Sequence, residues 1–72
     1  MDAMGRIKKE ELCDSCRKIQ LGESGRTVER MLDSEGYKTL MYRMINEMLL
    51  TNLQSEGGCS ECINLFESAT GQ

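Results

Sequence analysis

From Tyr37 to Leu53 the apolar residues Tyr37, Leu40, Met41, Met44, Ile45, Met48, Leu49 and Leu53 recur at intervals of three and four. This spacing predicts one amphipathic helix of about four to five turns. Lys38, Arg43, Asn46 and Glu47 fall mostly on its other side, and Leu50 widens the stripe. Gln54-Ser55-Glu56-Gly57-Gly58 ends the helix, with Gly57 or Gly58 suited to a left-handed close. Residues 59–68 then read as a last short helix with Cys62, Ile63, Phe66 and Ala69 turned inward, and Thr70-Gly71-Gln72 as a frayed end.

Upstream the pattern is shorter and more broken. Val28–Leu32 predicts a short helix with Thr27 as its N-cap, although Arg30 stands where a capping box would have Glu. Asp33-Ser34-Glu35-Gly36 interrupts it, and Asp33 or Ser34 can cap the helical segment beyond the break. Gly22-Glu23-Ser24-Gly25 reads as a turn. Residues 7–21 carry a first cysteine pair, and Lys8-Lys9-Glu10-Glu11 reads as solvated surface with weak helix support from its opposite charges.

A chain of 72 residues has room for one small domain. A core of that size rarely contributes more than about 3–5 kcal/mol, so domains this small often add a disulfide, a metal or a partner chain. Four cysteines in so short a chain suggest such an addition. They form two CxxC pairs, Cys13-Asp14-Ser15-Cys16 and Cys59-Ser60-Glu61-Cys62, with 42 residues between them. Two-residue spacing lets both sulfurs of a pair turn toward one point, and two pairs complete a tetrahedron. The reading is therefore one structural Zn²⁺ held by Cys13, Cys16, Cys59 and Cys62. An iron–sulfur centre, a redox-active pair and disulfides are the alternatives; the usual cluster spacings differ, and no βαβ setting for thioredoxin-like chemistry is visible. The second pair is expected to open a helix, where the helix dipole stabilises sulfur charge, and Arg17 and Lys18 can offset the charge of the centre. Neither pair is followed by Gly, so the rubredoxin-like knuckle is absent.

Charge and composition narrow the function classes. Nine basic and twelve acidic side chains give −3, and a tetrathiolate centre would take this to about −5. An acidic chain with one Phe, two Tyr and no Trp suits neither the phosphate backbone nor base stacking. A direct nucleic-acid binder is the runner-up, because Arg6, Lys8, Lys9, Arg17, Lys18, Arg26 and Arg30 all lie in the first thirty residues. No His is present, so neither a Cys–His nucleophile nor a His-liganded catalytic zinc can form, and four thiolates leave no open coordination position. An enzyme is not expected, nor is a small-molecule substrate. Met1-Asp2-Ala3-Met4-Gly5-Arg6 has no apolar run behind it, and no stretch approaches the roughly 20 apolar residues of a membrane span. The expected setting is intracellular, where thiols stay reduced.

The cysteine pairs and the long helix between them resemble the zinc-finger-associated domain at the N-terminus of many insect transcription factors. The match runs from Cys13 to about Phe66 and includes Cys59-Ser60-Glu61-Cys62-Ile63 with Leu65 and Phe66. It implies a treble-clef-like fold around one zinc, self-association, and a chain that is an excised domain or a stand-alone relative. That family usually has Arg directly after its first cysteine, where this chain has Asp14. The spacing is also similar to small zinc-binding anti-sigma factors of spore-forming bacteria and related phage regulators, with Gly36-Tyr37 and Leu40 loosely alike. These resemblances imply a cytoplasmic location if the chain is bacterial or phage and a nuclear one if it is eukaryotic.

Together these readings give a mainly α, single small domain. Its zinc lobe comprises residues 12–22 and 57–68, its helical middle residues 27–54, and its ends are frayed. The expected function is protein–protein interaction in transcription regulation, as a homodimer or with a component of the transcription machinery. The contact falls on Leu40, Met41, Met44, Ile45, Met48 and Leu49, since methionine adapts to varied partners.

Overall fold

Polar caps set where the helices begin. The structure, a computed structural model, describes residues 4–71. Helix α1 (Asp14–Arg17) starts at Cys13, and α2 (Val28–Leu32) starts at Thr27, whose hydroxyl accepts from the Arg30 amide. In α3 (Glu35–Lys38) the Ser34 hydroxyl accepts from Tyr37 N. Helices α4 (Tyr42–Ser55) and α5 (Ser60–Ala69) complete the order. Short 3₁₀ turns cover Lys9–Glu11 and Gly22–Ser24. Gln20 and Thr27 form an isolated antiparallel bridge, flanked by the bonds Leu21 N to Arg26 O and Val28 N to Ile19 O. Thus the cap at Thr27, the helix at Val28–Leu32 and the start at Ser34 lie where the sequence puts them. The frayed-end expectation at Gln72 falls outside the described residues, whereas Thr70 is tied down by its amide on Phe66 O and its hydroxyl on Glu67 O.

The predicted helix from Tyr37 to Leu53 is broken. Thr39 closes α3, its hydroxyl donating to Glu35 O and Gly36 O, and a fresh helix starts at Tyr42. The cause lies in the stripe itself. At 100° per residue, Tyr37, Met41, Met44 and Met48 make one row, and Tyr42, Asn46, Leu49 and Leu53 make another with the same spacing on a different side. The structure buries the second row and leaves Met41, Met44 and Met48 outside. A continuous helix would have held Tyr37 on the outer row; the break lets it rotate into the core, where it is 2 % exposed.

The second correction concerns Asn46. The periodicity places it on the polar side, yet it is buried at 1 % exposure. Burial of an amide is tolerated only when its bonds are made. Here Asn46 Oδ1 accepts from Tyr37 Oη at 2.6 Å, and Nδ2 donates to Gly5 O at 3.0 Å. Tyr37 Oη in turn accepts from Ile7 N at 2.7 Å. One buried chain of hydrogen bonds thus ties the N-terminal segment to α3 and α4.

Helix α4 packs chiefly on α5, burying Leu49, Leu53 and Phe66 completely, and Val28, Leu32, Leu21, Leu12 and Ile7 close the core over them. The corner between the two helices is short. Gly57 takes φ 78°, and Gly58 N donates to Leu53 O at 2.7 Å, a Schellman close. A Cβ at Gly58 would crowd Leu53 at 2.9–3.1 Å, so a larger residue here requires the corner to shift. Among the described residues no helix is long and apolar enough to cross a membrane.

Candidate metal centre

Both CxxC pairs sit on the same local scaffold. Cys13 and Cys59 are the N-caps of α1 and α5, with extended backbones at φ −71°, ψ 160° and φ −71°, ψ 153°. Two residues then enter the helix, and Cys16 and Cys62 come at its third position. Extended-to-helical backbone at this spacing turns both sulfurs of a pair the same way. The first cysteine of each pair is exposed and the second is buried in the core. The resemblance between the pairs is one of conformation, since their flanking sequences differ.

Folding brings the pairs together. All four sulfurs lie within 4.8 Å of one another. Cys13 Sγ is 3.6 Å from Cys59 Sγ and 3.8 Å from Cys62 Sγ, and Cys16 Sγ is 3.7 Å from Cys59 Sγ. A tetrahedral ion with metal–sulfur bonds of about 2.3 Å needs sulfurs about 3.8 Å apart, whereas a disulfide needs about 2.05 Å. Three of the six sulfur–sulfur edges thus have the length a coordination tetrahedron needs, the others are no longer than 4.8 Å, and the cysteines are free thiols. The four residues singled out from sequence converge on one site that fits one metal ion.

Backbone amides support the sulfur charge such an ion requires. Cys62 N donates to Cys59 Sγ, and Cys59 N donates to Cys16 Sγ, each at 3.4 Å. The Cys62 amide, with thiol hydrogen bonds from Cys62 and Cys13, holds the Cys59 thiol down at about 7. Burial pushes Cys16 and Cys62 above the ordinary thiol range. Without an ion the two inner thiols thus keep their protons through neutral pH, and an ion entering the site displaces them. Protons and metal compete for the same sulfurs, so affinity falls as pH falls. Metal competition titrations at about pH 6.5, 7.5 and 8.5 are expected to tighten at each step; a constant affinity across that range would contradict this protonation scheme.

Around the cluster, Arg17 forms an ion pair with Asp14. The basic residues of the nucleic-acid alternative do not form an uninterrupted positive face. Lys9 pairs with Asp33 at 2.9 Å, which raises its pKa, and Arg26 and Arg30 line a hollow that includes the same Asp33. Arg6 donates to Lys38 O.

The contact residues named from sequence divide. Leu49 is wholly buried and Ile45 is partly buried against the core, so Leu49 is core rather than contact surface. Leu40, Met41, Met44 and Met48 lie outside, at 89 %, 51 %, 67 % and 37 % exposure. Sequence reasoning missed Asn46, and the signal was its place in the Tyr42, Leu49, Leu53 row. No known protein family, curated protein or solved structure matches the chain.

Proposed function

We propose that this chain is a protein–protein interaction module whose small fold is stapled by one structural Zn²⁺ on Cys13, Cys16, Cys59 and Cys62. Zinc suits a closed shell of four thiolates at tetrahedral spacing, and such a shell has no open position for substrate or water. The role is therefore presentation of a surface rather than catalysis. The observation that carries this reading is the exposed row of Met41, at the N-cap of α4, with Met44 and Met48 inside the helix and Leu40 just before it in sequence. Leu40, Met41, Met44 and Met48 are exposed in a chain whose core is already closed by other residues. Monomeric proteins seldom leave a run of large apolar side chains uncovered without a use for it. At Met48 the row meets a groove of about 580 Å³ shared with Leu21, Met31 and Asn52, which extends the apolar surface inward. The partner is a protein: a second copy of the chain or a component of the transcription machinery. The setting in transcription regulation rests on the cysteine spacing shared with the two resembling families.

The test is the double substitution M44E/M48E. Both side chains are outside the core, so the variant is expected to keep wild-type helicity and one bound zinc. It is expected to lose association by about 100-fold or more, in sedimentation or pull-down, as when central contacts of an interface are removed. Unfolding instead would assign the row to the core, and undiminished association would move the contact elsewhere. Metal analysis of protein purified without chelator, giving one zinc per chain, checks the staple.

A further inference from the structure

The four cysteines differ in their access to solvent, and the difference tracks their position in each pair. Cys13 and Cys59 are exposed N-caps, while Cys16 and Cys62 lie inside among Leu12, Val28 and Phe66 in the core. The two exposed sulfurs belong to opposite ends of the chain and lie 3.6 Å apart. Closing that gap to a bond of about 2.05 Å asks for a movement of about 1.5 Å. A small oxidant meets these two sulfurs before it meets the inner pair.

We propose that the centre is also a redox switch in which a hydroperoxide joins Cys13 to Cys59. One exposed thiolate attacks an oxygen of hydrogen peroxide, the O–O bond breaks, and a sulfenic acid forms as the other oxygen leaves as hydroxide; the second thiolate attacks that sulfur, the S–S bond forms and a second hydroxide leaves. Two thiolates are oxidised by two electrons in all, the peroxide is reduced, and the two hydroxides take protons from solvent to become water. The consequence depends on which cysteines pair. A bond within either CxxC would untie the two halves of the site. A bond between residues 13 and 59 takes two of the four ligands from the metal yet keeps α1 held to α5, and the inner thiols stay in the core as small apolar groups. The oxidised chain thus loses its ion without losing its closure, and reduction restores the ligand set.

The sequence allows the pairing to be read directly, because Asp14 separates Cys13 from Cys16 and Glu61 separates Cys59 from Cys62. The metal-loaded chain is treated with one equivalent of hydrogen peroxide, cleaved before Asp14 and after Glu61, and analysed by mass spectrometry, with metal release followed by a chromophoric chelator and helicity by circular dichroism. The expected first product is lighter by two hydrogens and links the Cys13 fragment to the Cys59 fragment. One equivalent of metal is released, and at least three quarters of the helical signal is retained. A Cys13–Cys16 or Cys59–Cys62 bond, a bond involving either inner cysteine, sulfinic acid without a disulfide, retained metal or collapse of helicity overturns the proposal. It rests on the metal reading for the release step and for the folded state that sets the sulfur spacing. Metal content measured before oxidation tests that reading separately, and the pairing is then read from the fragment masses of the oxidised sample.

Discussion

Cys59→Ser is expected to leave the chain without a stable fold. Serine is a good N-cap, and its hydroxyl can accept from the Cys62 amide as the Cys59 sulfur does, so α5 keeps its local start. What the substitution removes is one of the four thiols of the candidate metal centre. Apparent binding energies of structural zinc sites run to about 10–16 kcal/mol, against the roughly 3–5 kcal/mol a core this small supplies. The larger quantity decides the outcome. Far-UV circular dichroism should show most of the helix lost and no cooperative melt, and chelation of the wild-type protein should give the same result. A Cys59→Ser chain with wild-type helicity and melting temperature would mean that the apolar core holds the fold alone.

The second large effect is expected at the buried hydrogen-bond chain. Asn46→Leu preserves approximate volume but takes away the acceptor for Tyr37 Oη and the donor for Gly5 O. Each buried polar group left without its partner costs about 1–3 kcal/mol, so a loss of roughly 2–4 kcal/mol is expected in urea denaturation of the metal-loaded protein. Tyr37→Phe should cost about as much, roughly 2–4 kcal/mol, since it strands both the Ile7 amide and Asn46 Oδ1. The double variant should cost less than the sum of the two, because they share the 2.6 Å bond. Hydrogen exchange at the Ile7 amide gives a local readout, with protection falling in both single variants. A change in stability below about 0.5 kcal/mol for Asn46→Leu would put the amide in water rather than in the core.

That chain of bonds also explains where sequence reasoning stopped. The cap at Thr27, and one at Asp33 or Ser34, were legible because a hydroxyl or carboxylate before a helical run answers a local need, the unpaired amides of the first turn. The metal cluster was legible because CxxC spacing fixes how two sulfurs turn, whatever lies between the pairs. The course of residues 37–53 was not. Two rows of the same periodicity run through that stretch, and hydropathy favours the methionine row over one that contains Asn46. The choice is made by groups distant in sequence: Gly5 O and Ile7 N complete the bonds of Asn46 and Tyr37, and only then does the row of Tyr42, Leu49 and Leu53 become the buried one. Local pattern holds no record of such partners. The separation of the exposed from the buried cysteines was hidden for the same reason, since it depends on which side of α1 and α5 the core occupies.

The tight corner between α4 and α5 bears on how quickly the site is assembled. Residues 56–59 are all that separates the two helices, so this hairpin closes over a short stretch of chain and loses little loop entropy. Contacts so local form early in folding. The half of the sulfur tetrahedron at Cys59 and Cys62 is therefore in place while Cys13 and Cys16 are still searching, with 42 residues of chain between the pairs. The slow step is then expected to be the arrival of the first pair at a second pair already formed.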